Sequence, residues 1–184
     1  MALTSILGRS PTSSELMPPS LAIEEHIPRL RRYARALTAT REAADDLVQD
    51  ALERAWTKQH LWQPDTNLRA WLFSIMHNVH VNQARSPQNQ TLETLEDEAM
   101  ELPVRATQQD GLMVRDLDRS LRQLPTEQRE VLLLVGLEQM SYDEAAQVLG
   151  IPVGTVMSRL ARGREKLRTL MYGLPAAPTL GVIK

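Results

Sequence analysis

The chain contains no cysteine. That excludes a disulfide scaffold, a thiolate zinc finger and a cysteine nucleophile, and it fits a reducing compartment. Aromatic residues are scarce: three Trp, three Tyr and one Phe in 184 residues. A core must therefore be built mainly from Leu, Val, Ile and Ala. No apolar run approaches the ~20 residues that cross a bilayer. The Leu3–Leu7 patch is too short and too polar for a signal-peptide core. Neither sign of charge dominates, with 21 Lys and Arg against 23 Asp and Glu, a net −2. At first sight that balance argues against nucleic acid as a partner. Also missing are a Gly-rich phosphate loop, a nucleophile–base pair and a carboxylate dyad. What remains is 42% hydrophobic residues, enough to exclude general disorder.

The charge is unevenly distributed. Residues 1–21 have Gly8, Pro11, Pro18 and Pro19 and no sustained period, and read as a mobile tail. Residues 22–85 carry nine basic and eight acidic side chains. Residues 86–110 carry Arg105 against Glu93, Glu96, Asp97, Glu98, Glu101 and Asp110, a net −5, and read as a polar acidic linker. Residues 111–172 return to nine basic against eight acidic, and 173–184 form a frayed end. Two compact segments on an acidic tether is the simplest organisation.

Both segments have helical period. In the first, Ile27, Leu30, Ala34 and Leu37 make one stripe, Val48, Leu52, Ala55 and Trp56 a second, and Leu68, Leu72, Ile75, Met76 and Val79 a third. Asn67 is a good N-cap for the third helix. In the second segment, Leu117, Leu121 and Leu124 make a stripe that stops at Pro125. The run Val131–Val135 could be a buried strand on its own, but its flanks favour helix. No hairpin turn or clean alternation occurs. The fold class is all-α, in two small helical domains joined by a flexible acidic linker.

Ser141-Tyr142-Asp143-Glu144 is a capping box that starts a helix. Ala145, Ala146, Val148 and Leu149 supply its buried face, and Gly150 can take the left-handed turn that ends it. Pro152 keeps Ile151 out of the α region, and a longer helix follows. This is helix-turn-helix geometry. Thr155, Ser158, Arg159 and Arg162 share the outward face of the second helix, with Lys166 beyond. Residues 152–170 carry five basic side chains against Glu165, a net +4. Such a face can enter a major groove, with Arg and Ser on base edges and later cations on phosphates.

Those residues also carry a resemblance. From Leu124-Pro125-Thr126-Glu127-Gln128-Arg129-Glu130-Val131 through Gly163-Arg164, the segment is similar to region 4 of an extracytoplasmic-function (ECF) sigma factor. Met157 stands where the family usually has Lys, and Pro152 where it often has Ser. The resemblance implies that Thr155, Ser158, Arg159, Arg162 and Lys166 face the −35 promoter element. Asp45-Asp46-Leu47-Val48-Gln49-Asp50-Ala51-Leu52-Glu53 resembles sigma region 2.2. This implies that Asp46, Gln49, Asp50 and Glu53 meet the β′ clamp helices of RNA polymerase, region 4 meeting the β flap. Residues 67–85 resemble regions 2.3 and 2.4, which implies that Trp71, Asn78, Asn82 and Arg85 capture single-stranded −10 DNA. Aromatic rings beside amides and Arg suit that task. Trp71 and Phe73 are equally readable as core. His77 and His80 stand three apart and could share a metal, but two imidazoles alone read better as ordinary side chains. His77 replaces a common Arg of the family, and Asn82 a common Asp.

The resemblance covers 22–85 and 111–172, and only regions 2 and 4 are matched. It implies a cytoplasmic transcription initiation factor with no covalent chemistry and no cofactor or metal. Core RNA polymerase, promoter DNA and an anti-sigma factor would be its partners. The tether could thread the polymerase channels or serve as a spacer. Two competitors stand beside this: a sigma-like decoy that sequesters an anti-sigma factor, and a stand-alone helix-turn-helix repressor.

Overall fold

A computed structural model describes residues 23–63, 66–85 and 108–173, with side chains of 108–112 left aside. Tail residues 1–21, residues 86–107 of the 86–110 tether, and residues 174–184 lie outside these, and the last three tether positions, 108–110, are already helical rather than linker. The described residues form seven α-helices and no strand.

The first three helices make a bundle. Helix α1 (Ile27–Leu37) has Pro28 in its first turn, where a missing N–H costs nothing, and buries Leu30, Tyr33, Ala34 and Leu37. Helix α2 (Arg41–Lys58) is capped by Thr40, whose hydroxyl accepts from the Ala43 amide at 3.2 Å. Helix α3 (Leu68–Arg85) is capped as the sequence predicts, the Asn67 side-chain oxygen accepting from the Ala70 amide at 3.1 Å. The Tyr33 and Phe73 rings meet edge to face in the bundle centre, 5.2 Å apart. Phe73 is therefore core. The α2 stripe differs from expectation. Its buried face is Ala44, Leu47, Val48, Ala51 and Ala55, whereas Trp56 is 47% exposed. A helix turns 100° from Ala55 to Trp56, which carries the large ring off the buried sector.

Helix α4 (Gln108–Arg122) opens the second half, followed by α5 (Thr126–Leu132). The Val131–Val135 run is helical, and it widens into a π-helical turn over Leu133–Leu137. Helix α6 (Tyr142–Leu149) carries the full capping box, with Ser141 accepting from Glu144 N–H at 3.1 Å and Glu144 accepting from Ser141 N–H at 2.8 Å. Gly150 takes the left-handed turn at φ 63°. Helix α7 (Val153–Tyr172) starts directly after Pro152. Gly163 sets its crossing with α5. A Cβ there would come 2.9 Å from Leu132 Cδ1 and 3.3 Å from Gln128 Cβ.

The two halves touch along a polar seam, with α3 against α6. Arg32 donates to Glu138 at 2.7 Å, and Arg29 stands 3.9 Å from the other Glu138 oxygen. Glu138 has no exposed side-chain surface. Arg69 donates to the Glu138 carbonyl at 3.2 Å and to Glu144 at 3.3 Å, and Asn67 donates to Glu144 at 2.6 Å. Glu144 thus joins two helix starts, one from each half. Arg129 donates to the Leu37 carbonyl at 2.8 Å, and Arg122 to that of Ala39.

Candidate nucleic-acid interface

The capping box, the Gly150 turn and the Pro152 start seat the first turn of α7 on the core through Val153 and leave its outer side to solvent. Val156 and Leu160 are buried beneath it. Ser158, Arg162 and Lys166 are exposed, and Thr155 is half-buried. Arg162 Nε donates to the Ser158 carbonyl at 3.2 Å. Arg159 is placed differently. Its side chain is 22% exposed and pairs with Glu127 of α5 at 3.3 Å. Met157, 53% exposed, completes the outer surface.

On α3, Trp71, Ile75, Asn78, Asn82 and Arg85 fall at spacings of four, three, four and three, hence on one face. Trp71 and Ile75 are half-buried, while Asn78, Asn82 and Arg85 are exposed. This stripe combines an aromatic edge, two amides and a cation, the inventory single-stranded DNA requires. On α2, Asp46, Gln49 and Glu53 are exposed. Asp50 is half-buried and accepts from Gln83 at 2.8 Å, tying the end of α3 to the middle of α2. Gln49 and Glu53 line a groove of about 910 Å³ between α1 and α2, shared with Arg31, Arg35, Leu52 and Trp56.

The two α3 imidazoles point into the seam. His77 Nδ1 lies 2.9 Å from Glu130, a buried carboxylate of α5. Burial holds the His80 pKa below its ordinary 6.5; Glu130 opposes that shift, and His77 and Arg129 add to it. The seam was missed in the sequence. Its signal was there: Glu130 and Glu138 bracket the apolar run 131–137, so a helix that buries the run carries both carboxylates inward.

A pH dependence follows from His80. The folded chain resists protonating it, whereas the unfolded chain accepts a proton below about 6.5. The contribution is fully present above that value and is lost as pH falls beneath it. His26, lowered by burial and Arg29, acts with the same sign. Glu144, lowered first by the Ser141 backbone hydrogen bond, adds a loss below its ordinary 4.5. The urea midpoint should fall between about pH 7.5 and about pH 5.5, and His80→Gln should flatten that slope. An unchanged slope in the variant would remove His80 as the cause.

Comparison with known proteins gives these surfaces a context. The family model described as the Sigma2 domain of PhyR matches residues 23–77, and that of Sigma-70 region 4 matches 115–167. The ECF RNA polymerase sigma factor EcfG of Rhodopseudomonas palustris is 38% identical over 146 residues, covering 79% of this chain and 81% of that one. This chain is an ECF RNA polymerase sigma factor. The family is one of non-catalytic transcription factors. Among solved structures, the sigma factor RpoE of Bartonella quintana, in complex with the anti-sigma factor NepR, superposes with a TM-score of 0.73 at 32% identity, covering 83% of this sigma factor and 95% of RpoE. CnrH in complex with the cytosolic domain of CnrY superposes at 0.63 and 29% identity, covering 85% and 89%. The Sigma2 match spans α1, α2 and the first part of α3, and the region 4 match runs from within α4 into α7. No helix among the described residues is long and apolar enough to cross a membrane.

Proposed function

We propose that this sigma factor binds core RNA polymerase and directs it to promoters. Region 2 reads the −10 element through Trp71, Asn78, Asn82 and Arg85, and region 4 reads the −35 element through Thr155, Ser158, Arg159, Arg162 and Lys166. Asp46, Gln49, Asp50 and Glu53 dock on the β′ clamp helices, and region 4 docks on the β flap. The chain performs no covalent chemistry, holds no cofactor and works in the cytoplasm. An anti-sigma factor covers the Asp46–Glu53 surface and the recognition helix in the inactive state. RpoE, solved in complex with the anti-sigma factor NepR, supports a partner of that kind. The observation that carries the reading is the pair of reading faces in one chain: the polar stripe of α3 and the net +4 helix α7.

Run-off transcription with purified core enzyme tests it. Promoter-dependent transcripts are expected with the sigma factor and none without it. Their absence on every candidate promoter would favour the decoy, and dimeric binding to a palindrome without polymerase would favour the repressor. Arg162→Ala should cost about 1–3 kcal/mol at the promoter, concentrated on one base pair. Lys166→Ala should weaken all sequences alike and lower the salt slope by about one. Equal, uniform losses for both would make Arg162 a phosphate contact.

A further inference from the structure

The cations of α7 are not equivalent. Gly163 lets α7 lie close on α5, with Gln128 and Leu132 directly beneath it. One turn earlier on α7 is Arg159, and next to Gln128 on α5 is Glu127. The crossing therefore brings a carboxylate to a recognition-helix guanidinium, at 3.3 Å. The exposures are lopsided. Arg159 is 22% exposed and Glu127 69%, so the cation is held while the acid stays open to the outer surface. Glu127 sits in the first turn of α5, where the helix dipole favours an ionised carboxylate.

A carboxylate there is unfavourable for plain phosphate binding. It repels the DNA backbone and cancels the charge Arg159 would bring to it. What it leaves intact is direction. A guanidinium paired on one side still presents donors as a planar fork, which matches the acceptors of guanine, and the 3.3 Å contact restricts the side chain before DNA arrives. Arg162 is exposed, and among the described residues its bond is within its own helix, to the Ser158 carbonyl.

We propose that Glu127 is a positioning residue that sets promoter specificity by aiming Arg159 at a base edge and keeping it off phosphate. This rests on region 4 reading the −35 element. The test is binding and transcription by the reconstituted holoenzyme on promoters carrying every base at each −35 position. Glu127→Ala should cut discrimination about tenfold at the one base pair where Arg159→Ala also loses it. It should at the same time steepen the salt dependence by about one counterion, because the released guanidinium now reaches phosphate. Glu127→Asp should recover part of the discrimination. A Glu127→Ala effect spread evenly over all sequences, lost at a different base pair, or absent would overturn the proposal. Absence of any sequence preference in the unmodified holoenzyme would instead refute the reading of region 4 itself.

Discussion

Arg32→Ala is expected to destabilise the folded chain by about 2–4 kcal/mol, and Glu138→Leu by clearly less. The asymmetry comes from burial. Glu138 has no exposed side-chain surface, whereas Arg32 and Arg29 are 49% and 47% exposed. Removing Arg32 takes away the 2.7 Å donor and leaves the carboxylate in the seam with Arg29 at 3.9 Å. Removing Glu138 instead returns two half-solvated guanidinium groups to water, which they reach easily. The figure lies below that of a fully buried pair because one partner is half in solvent already. The double variant Arg32→Ala/Glu138→Leu should recover most of the loss. Urea denaturation followed by tryptophan fluorescence measures all three. Equal losses for the two single variants, with no recovery in the double, would show that the seam does not depend on this pair.

Arg129→Ala should cost a similar amount, about 2–4 kcal/mol. One guanidinium donates to the carbonyls of Leu37, Arg122 and Leu124 at 2.8, 2.9 and 3.1 Å. These are the end of α1 and the turn between α4 and α5, where backbone acceptors lack helical partners. Truncation strands all three. Arg129→Lys should restore less than half, since an ammonium on a flexible stem cannot span three acceptors as a planar fork does. Amide hydrogen exchange at Thr38 and around residues 122–126 should speed up in both variants. A lysine variant as stable as the original would mean that charge alone suffices.

Much of the fold was legible because its signals are local. The Asn67 cap, the Ser141–Glu144 box, the Gly150 turn and the Pro152 start all lie within four residues of their effect, and each is found in the structure. The Val131–Val135 run is ambiguous by periodicity, and it is helical as its flanks favour. Trp56 departs from its stripe because three or four apolar residues do not say where a buried sector ends. The seam has no local signature. Its bonds join residues 53 to 106 positions apart, such as His77 with Glu130 and Arg32 with Glu138, and no local pattern encodes such a pairing. The same holds for Arg159, whose outward face was clear while its partner on another helix was not.

The Glu144 contact ties the start of α6 to the start of α3, so the two reading helices sit in one compact body. Elements centred near −10 and −35 are about 25 base pairs apart, or about 85 Å of B-form duplex. Helix α3 packs directly on α6, which in turn packs on α7, and α3 and α7 are only about 27 and 30 Å long. Both elements cannot be held while the seam is shut. The proposed function therefore requires an extended form, and the apparent affinity for promoter or polymerase is the intrinsic one reduced by the fraction of that form. Each tenfold rarity of the extended form weakens binding tenfold, so the variants that loosen Glu138 or Arg129 should destabilise the molecule and yet engage polymerase more readily. Stability and activity then move in opposite directions, with the seam as the shared coordinate.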